Sequence, residues 1–308
     1  MATLFVTGGT GFIGAELVRF AVAAGQRVQV LARSSASAAR AEQLGTEAVL
    51  GDLAWPGEWQ AIAARADGVL HIAQPLPFGQ RVTQARAERW RAERLRMDRL
   101  LLDPLPSGMR VLYVGGTSYY GHVGATAVDE GTTPQPRWFG PFLRPAIELL
   151  ERDLDRGLRL VQAFPGHVYG PGSWFGESIL TPLRAGKRLT QLDGPLRTLS
   201  LVHVRDCARA LLHLLERGEA GQRYFVVDDR PTHGRELARI AAAEQDLPLR
   251  VRRVPRWLCR LLLGPIVTDS LETDCALSNR RLKAIGFTCE FPTVESGIAE
   301  VVHSPGAQ

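Results

Sequence analysis

The nine residues VTGGTGFIG, Val6 to Gly14, constrain the fold more than any other stretch of the chain. They follow a short apolar run, TLFV, and open a helical pattern from Phe12 to Ala24. Gly8, Gly11 and Gly14 stand three residues apart. A glycine-rich turn between a first strand and a first helix brings backbone N–H groups at the helix N-terminus within reach of an anion. A Cβ there would hold off a pyrophosphate. The spacing therefore points to a dinucleotide held by Gly8, Thr10, Gly11, Phe12, Ile13 and Gly14.

The alternation continues. RVQVLA, EAVLGD, DGVLHIA, RVLYVGG and LRLVQAF are short apolar runs, most of them ending at polar or glycine-rich turns. SASAARAEQL and AIELLERDL between them read as helices. Continuous apolar runs of this length fit strands buried on both faces. Strand–helix alternation implies right-handed crossovers, and so an α/β fold with a Rossmann-type doubly wound parallel sheet. After Gly166 the alternation loosens, with Pro, Gly and Trp frequent in PGHVYGPGSWFGES. Helices are expected at Val204–Glu216, Gly234–Glu244 and Val294–Val302, and a strand at QRYFVV. The expected division is an NAD(P)-binding domain over residues 1–165 and a smaller substrate-binding region over 166–308, partly interleaved with it. The C-terminal HSPGAQ reads as a frayed tail.

Composition narrows the function. Lys and Arg number 37 against 32 Asp and Glu, a mild net charge of +5. The densest basic segment, Arg81–Leu100, interleaves acids with its arginines, which predicts a solvated helix face with internal ion pairs and no nucleic-acid partner. Cys207, Cys259, Cys275 and Cys289 are widely spaced, so no metal site is expected. Four reduced thiols suit a cytoplasmic protein. The N-terminus runs straight into a strand, so no signal peptide is expected. The longest apolar run, LLLGPIV, is too short to enter and cross a bilayer, so no membrane insertion is expected.

The residue after the second strand reads the adenosine ribose. An acid there takes the two ribose hydroxyls of NAD, and an arginine takes the 2′-phosphate of NADP. Here Arg33 and Ser34 stand at that point, with Arg40 further on and no acid. NADP is the expected cofactor, with NAD left open.

Several motifs together resemble the extended short-chain dehydrogenases/reductases, the epimerase-like branch. TGGTGFIG matches that family's cofactor loop, and GDL its adenine turn. HIAQP matches its fourth-strand end, and FPGHVYGPG its loop beneath the nicotinamide. LSLVHVRDCARALLHLLE and SNRRLKAIGF resemble its second-domain and C-terminal segments. The resemblance implies that Asp52 and Leu53 contact adenine, that Ile72, Ala73 and Gln74 lie along the cofactor, and that Pro165, His167 and Val168 lie beneath the nicotinamide. It also puts Arg197 near a place where sugar-nucleotide relatives carry a cation for a diphosphate.

The resemblance breaks at the catalytic residues. Four positions before Tyr120-Gly121, where the family carries Ser or Thr, stands Gly116. Aligned on Glu148, the family's Tyr and Lys positions hold Gly140 and Arg144. Arg144 can hold ribose hydroxyls but cannot relay a proton near neutral pH. Replacements for the missing acid are His167, Thr117, Ser118 and Tyr119, against structural readings for each. Tyr120 reads as packing, and His122 and Tyr169 are weaker candidates. Aromatic and aliphatic residues in PRWFGPF, GSWFGES and VPRWLCRLLLGPIV either face an apolar small-molecule substrate or close the second core. The expected activity is an atypical NADP(H)-dependent reduction of a carbonyl or conjugated ring, in specialised metabolism. A non-redox isomerase, cyclase or epimerase retaining its nucleotide stays open, as do a nucleotide-sensing regulator and a homodimeric state.

Overall fold

The computed structural model describes residues 1–75, 81–193, 197–271 and 273–303. Its centre is a seven-stranded sheet. The strands are β1 (Thr3–Thr7), β2 (Arg27–Ala32), β3 (Glu47–Leu50), β4 (Gly68–His71), β5 (Arg110–Val114), β6 (Arg159–Pro165) and β7 (Arg223–Val226). Their order is β7-β6-β5-β4-β1-β2-β3, and every pairing is parallel. This is the doubly wound sheet that the apolar runs imply. The chain winds outward from β1 to β3, then returns to β4 on the other side of β1. The crevice beyond β1 and β4 is thus the topological switch point, where open α/β sheets bind ligands.

Helices cover both faces. On one side lie α3 (Trp59–Ala63), α4 (Gln84–Leu102) and α5 (Gly140–Asp155), burying Trp59, Leu101 and Ile147 against the sheet. On the other lie α1 (Phe12–Ala23), α2 (Ser35–Gln43) and the helix Val204–Arg217, burying Leu17, Leu211 and Leu214. The amphipathic 204–217 helix starts at His203, whose Nδ1 accepts the Arg205 N–H at 3.4 Å. The main sheet takes its last strand, β7, from the second half of the chain. Conversely, Gly124–Val128 from the first half joins a small four-stranded sheet with Thr198–Leu199, Thr232–His233 and Cys275–Leu277.

A third core, built on Phe175, Leu180, Leu237 and Ile298, belongs to the second part. Two of the later helices stand at Gly234–Ala243 and Val294–His303. His303 ends the last of these, and the rest of the expected tail, 304–308, lies outside the described residues. All four cysteines are free thiols, and three are buried.

Candidate active site

The glycine turn after β1 closes on itself. The Gly11 N–H donates to the Gly8 carbonyl at 3.0 Å. A Cβ built on Gly14 would stand 2.0 Å from that same carbonyl, so only glycine fits there. Gly8 has φ +76°, and a Cβ on it would meet the Ala73 backbone N at 2.9 Å. The end of β4 therefore rests directly against the turn. Gly11 caps α1 with no side-chain partner, so the N–H groups of Phe12, Ile13 and Gly14 open the helix without intrahelical acceptors. These orphan donors fit a pyrophosphate, and the glycines let the turn close tightly enough to present them.

Beneath this turn lies a buried polar network. Thr7, His71 and Tyr113 are register partners in one row across β1, β4 and β5. Helix α4 sets Arg94 and Asp98 one turn apart above that row, 2% and 1% exposed. The Asp98 carboxylate only accepts hydrogen bonds, so His71 Nε2–H donates to Oδ1 at 2.8 Å. The opposite ring nitrogen, Nδ1, must then accept, and the Thr7 hydroxyl donates to it at 2.7 Å. Tyr113 donates to Asp98 Oδ2 at 2.8 Å, and Arg94 Nε lies 2.8 Å from Oδ1. Arg94 Nη1 donates to the Ala73 carbonyl at 2.8 Å, which ties the network to the residue that supports Gly8.

Burial alone would raise the Asp98 pKa. The Arg94 charge and the His71 bond outweigh it and hold the carboxyl below its usual range. Burial and the Arg94 charge push His71 below the ordinary imidazole value, so the ring is neutral. Here the expectation of a solvated helix face with internal ion pairs on Arg81–Leu100 is corrected in part. Arg91 and Glu88 do pair at the surface, at 2.8 Å, but the Arg94–Asp98 pair faces the sheet. It can do so because strands β4 and β5 and the Ala73 carbonyl supply its partners.

At the end of β2, Arg33 is exposed and Ser34 caps α2 in a reciprocal bond pattern with Ser37. Asp52 is exposed after β3, and its Oδ1 accepts the Ala54 N–H at 2.9 Å. Leu53 and Ile72 are buried, and Gln74 is exposed at the end of β4. The structure brings all these residues to the carboxyl edge of the sheet.

The opposite wall is built differently. Gly140 starts α5, and a Cβ on it would stand 2.1 Å from the Ser118 carbonyl. The turn Thr117–Tyr119 is a single 3₁₀ turn that presses on this helix end. A tyrosine cannot occupy position 140 without displacing that turn. Thr117 and Ser118 are half-buried. Tyr119 is 4% exposed, with its ring stacked 5.9 Å from Phe164 and the Arg223 guanidinium 5.3 Å above it. Its ring is thus largely committed to packing. Tyr120 is fully buried against Phe225, ring centroids 4.6 Å apart, and burial pushes its hydroxyl up to about 12. Arg144 sits on the exposed side of α5, its Nε 2.6 Å from Glu148 Oε1.

His167 follows β6, in the strand His167–Tyr169 paired with Leu201–His203. Its N–H donates to the Ser200 carbonyl at 2.8 Å. Its side chain is exposed. Desolvation by neighbouring atoms lowers its pKa below the ordinary value, and a bond to the Ser200 backbone opposes the shift. Pro165 is buried before it and Val168 half-buried after it. The weaker candidates are engaged elsewhere. His122 Nδ1 accepts the Asp274 N–H at 3.1 Å, and Tyr169 is 1% exposed beside Phe175 and His203. Arg197 pairs with Asp274 at 3.3 Å.

Of the aromatic segments, Phe142 and Phe175 enter cores, while Trp174 stays 38% exposed with its Nε1 bonded to the Val168 carbonyl at 2.9 Å. Trp138 adopts a left-handed φ of 53°, a conformation that costs a non-glycine residue roughly 1 kcal/mol or more. The segment around Trp257 does not simply close the second core, because Trp257, Leu261 and Leu262 are exposed. Sequence reading missed two features of the site. One is the His71–Asp98–Arg94–Tyr113 network, whose only trace was an Arg and an Asp four apart. The other is the close approach of Gly140 to Ser118, which leaves no local signal.

Among known proteins, the NAD dependent epimerase/dehydratase family matches residues 4–227. The 4-hydroxy-2-methyl-3-oxo-4-farnesyl-3,4-dihydroquinoline-1-oxide ketoreductase of Stigmatella aurantiaca is 26% identical over 82% of this chain and 75% of its own length. A putative dihydroflavonol 4-reductase of Synechocystis is 28% identical over 82% of this chain and 76% of its own. Two of the solved structures that share the fold illustrate it. Human epimerase family protein SDR39U1 (isoform 2) with NADPH superposes with TM-score 0.77 at 21% identity, covering 97% of this chain and 98% of its own. Thermus thermophilus UDP-glucose 4-epimerase with NAD superposes with TM-score 0.78 at 21% identity, covering 97% of each chain.

Proposed function

The chain belongs to the NAD dependent epimerase/dehydratase family, and from that premise we propose that it is an atypical NADP(H)-dependent reductase of an apolar carbonyl or conjugated ring. The observation that carries the reading is the asymmetry of the cleft. One wall keeps a glycine cradle that a single Cβ on Gly14 would block, with Arg33 and no carboxylate after β2. The opposite wall has no room for the family's tyrosine at Gly140. Reductase names among the relatives, one acting on a farnesylated quinoline oxide, support an apolar ketone as substrate.

When bound, NADPH supplies the hydride. The N–H groups of Phe12, Ile13 and Gly14 would hold its pyrophosphate, and Arg33 with Ser34 would hold the 2′-phosphate. Arg144, now paired with Glu148, would hold the nicotinamide ribose. Thr117 and Ser118 orient the substrate oxygen by hydrogen bonds. His167, as imidazolium, donates a ring proton to that oxygen as charge develops on it. A substrate whose product oxygen is already a good anion needs less help from this acid, which suits the lowered pKa of His167.

The packed position of Gly140 also favours a second reading, a non-redox or nucleotide-sensing protein that keeps the cofactor as structure. Incubating the protein with NADPH and a panel of prenylated and aromatic ketones separates the readings. Oxidation of NADPH in step with alcohol or reduced-ring product supports the reductase. Isomerised product without oxidation, or tight binding without any turnover, overturns it.

A further inference from the structure

We propose that the helix Arg256–Leu263, with the strand Val251–Val254 before it, is a docking surface for an anionic membrane. The helix is pinned by one side only. Cys259 is buried, whereas Trp257, Leu261 and Leu262 are 67%, 60% and 62% exposed. At 100° per residue, Trp257, Leu261, Leu258 and Leu262 fall on one arc, whose Trp257–Leu261 end lies opposite Cys259. Arg256 and Arg260 form a separate row beside that arc, both reaching Asp269, at 2.9 and 3.6 Å. Isolated exposed leucines need no explanation, but an aromatic and two leucines on one helical arc form a patch.

The charge beside the patch selects its occupant. Between residues 250 and 271 there are five arginines, Arg250, Arg252, Arg253, Arg256 and Arg260, against one acid, Asp269. Arg250, Arg252 and Arg253 are exposed. Val251, on the same strand, is 37% exposed. An apolar arc with Arg256 and Arg260 beside it on the helix, and Arg250, Arg252 and Arg253 directly before it in the chain, is the pattern of an interfacial helix; on the strand, Arg253 shares the side of Val251 and Arg252 faces the other. The arc enters the headgroup–acyl boundary while the guanidinium groups meet lipid phosphates, and a tryptophan suits that depth. Among the described residues no helix is long and apolar enough to cross a membrane, so this is attachment to a surface.

The surface is also held in place. The helix stops at Gly264, φ +87°, and a Cβ there would meet the Val82 carbonyl at 3.0 Å. The joint thus rests on the segment that leads into α4, and a bilayer on this face has a fixed orientation to the rest of the molecule. The surface serves whichever reaction the cleft performs.

The test is co-sedimentation of the full chain with vesicles of phosphatidylcholine alone, or of phosphatidylcholine mixed with phosphatidylglycerol. Binding should be at least ~10-fold stronger to the mixed vesicles. Leu261→Ser with Leu262→Ser should weaken it by ~10-fold or more, from lost apolar burial. Arg252→Ser with Arg253→Ser should weaken it by roughly 10-fold or more and flatten its salt dependence. These side chains are exposed, so an unchanged melting temperature should certify the fold of each variant. Absence of vesicle binding overturns the proposal. So does wild-type binding by the leucine variant, which would mean attraction by overall charge alone. A wild-type dimer that the leucine variant turns monomeric, without vesicle binding, would make the patch a seam between two copies and also overturn it.

Discussion

The two walls of the cleft are made of the same kinds of element and solve different problems. The wall of β1, β2 and β4 is tight where backbone must approach a ligand, with Gly8 and Gly14 admitting no side chain. It stands on a buried network in which Thr7, His71, Asp98, Arg94 and Tyr113 satisfy one another. The wall of β5 and α5 is tight for packing. There Gly140 admits the Ser118 carbonyl, and Tyr119 and Tyr120 turn their rings onto Phe164. On both sides a glycine lets backbone stand where a side chain would be, the Gly8 carbonyl and the Ala73 backbone on the first and the Ser118 carbonyl on the second. The consequence differs: the first turn closes tightly enough to present the N–H groups that open α1, whereas the second closes over the place of a tyrosine.

The largest effect should come from undermining the first wall. Asp98→Asn leaves Arg94 charged and buried with no carboxylate, which should cost about 3–5 kcal/mol, read as a lower denaturation midpoint. A loss under about 1 kcal/mol would mean that water already reaches the network.

A smaller effect, confined to turnover, should come from His167→Asn. The variant keeps a hydrogen-bond donor and loses the proton, so kcat should fall ~10²-fold or more with NADPH affinity unchanged. The acid form is needed, so the wild-type rate of reduction should fall as pH rises through the His167 pKa. Desolvation holds that pKa below 6.5, so the fall belongs on the acid side of neutrality. Wild-type turnover in the variant would return the role to Thr117, Ser118, Tyr119 or solvent.

Gly140→Ala should lower stability by roughly 1–3 kcal/mol, because the new methyl must push back the Ser118 backbone. A variant as stable as wild type would show that the second wall has room for a side chain after all. Arg144→Lys should weaken cofactor binding only modestly and add no pH dependence to the rate, since the residue already shares its charge with Glu148 at the surface. A new rate pKa in that variant would reveal a proton relay on this wall.

The first wall was mostly legible in the sequence. Its strands are buried on both faces, so β1 reads as an apolar run, Leu4–Val6, and α1 begins directly after Gly11. The network beneath it was not legible. A charged pair four apart on α4 has the same pattern whether it meets water or a sheet, and only the topology brings His71 and Tyr113 to it. The second wall failed for a similar reason. A vacant Tyr position could be counted, but not that Ser118, twenty-two residues earlier, would fill it. In the second part, short strands such as Thr198–Leu199 gain their stability from pairing and carry no periodic signal.

Whether the first wall holds a cofactor and prefers NADP is tested most directly by titration calorimetry of NADPH and NADH on the wild type and on Arg33→Ala. Wild type should bind NADPH ~10-fold or more tightly than NADH, and Arg33→Ala should erase most of that gap while leaving NADH affinity nearly unchanged. Equal affinities for the two nucleotides in the wild type, or no binding of either, would contradict the proposal.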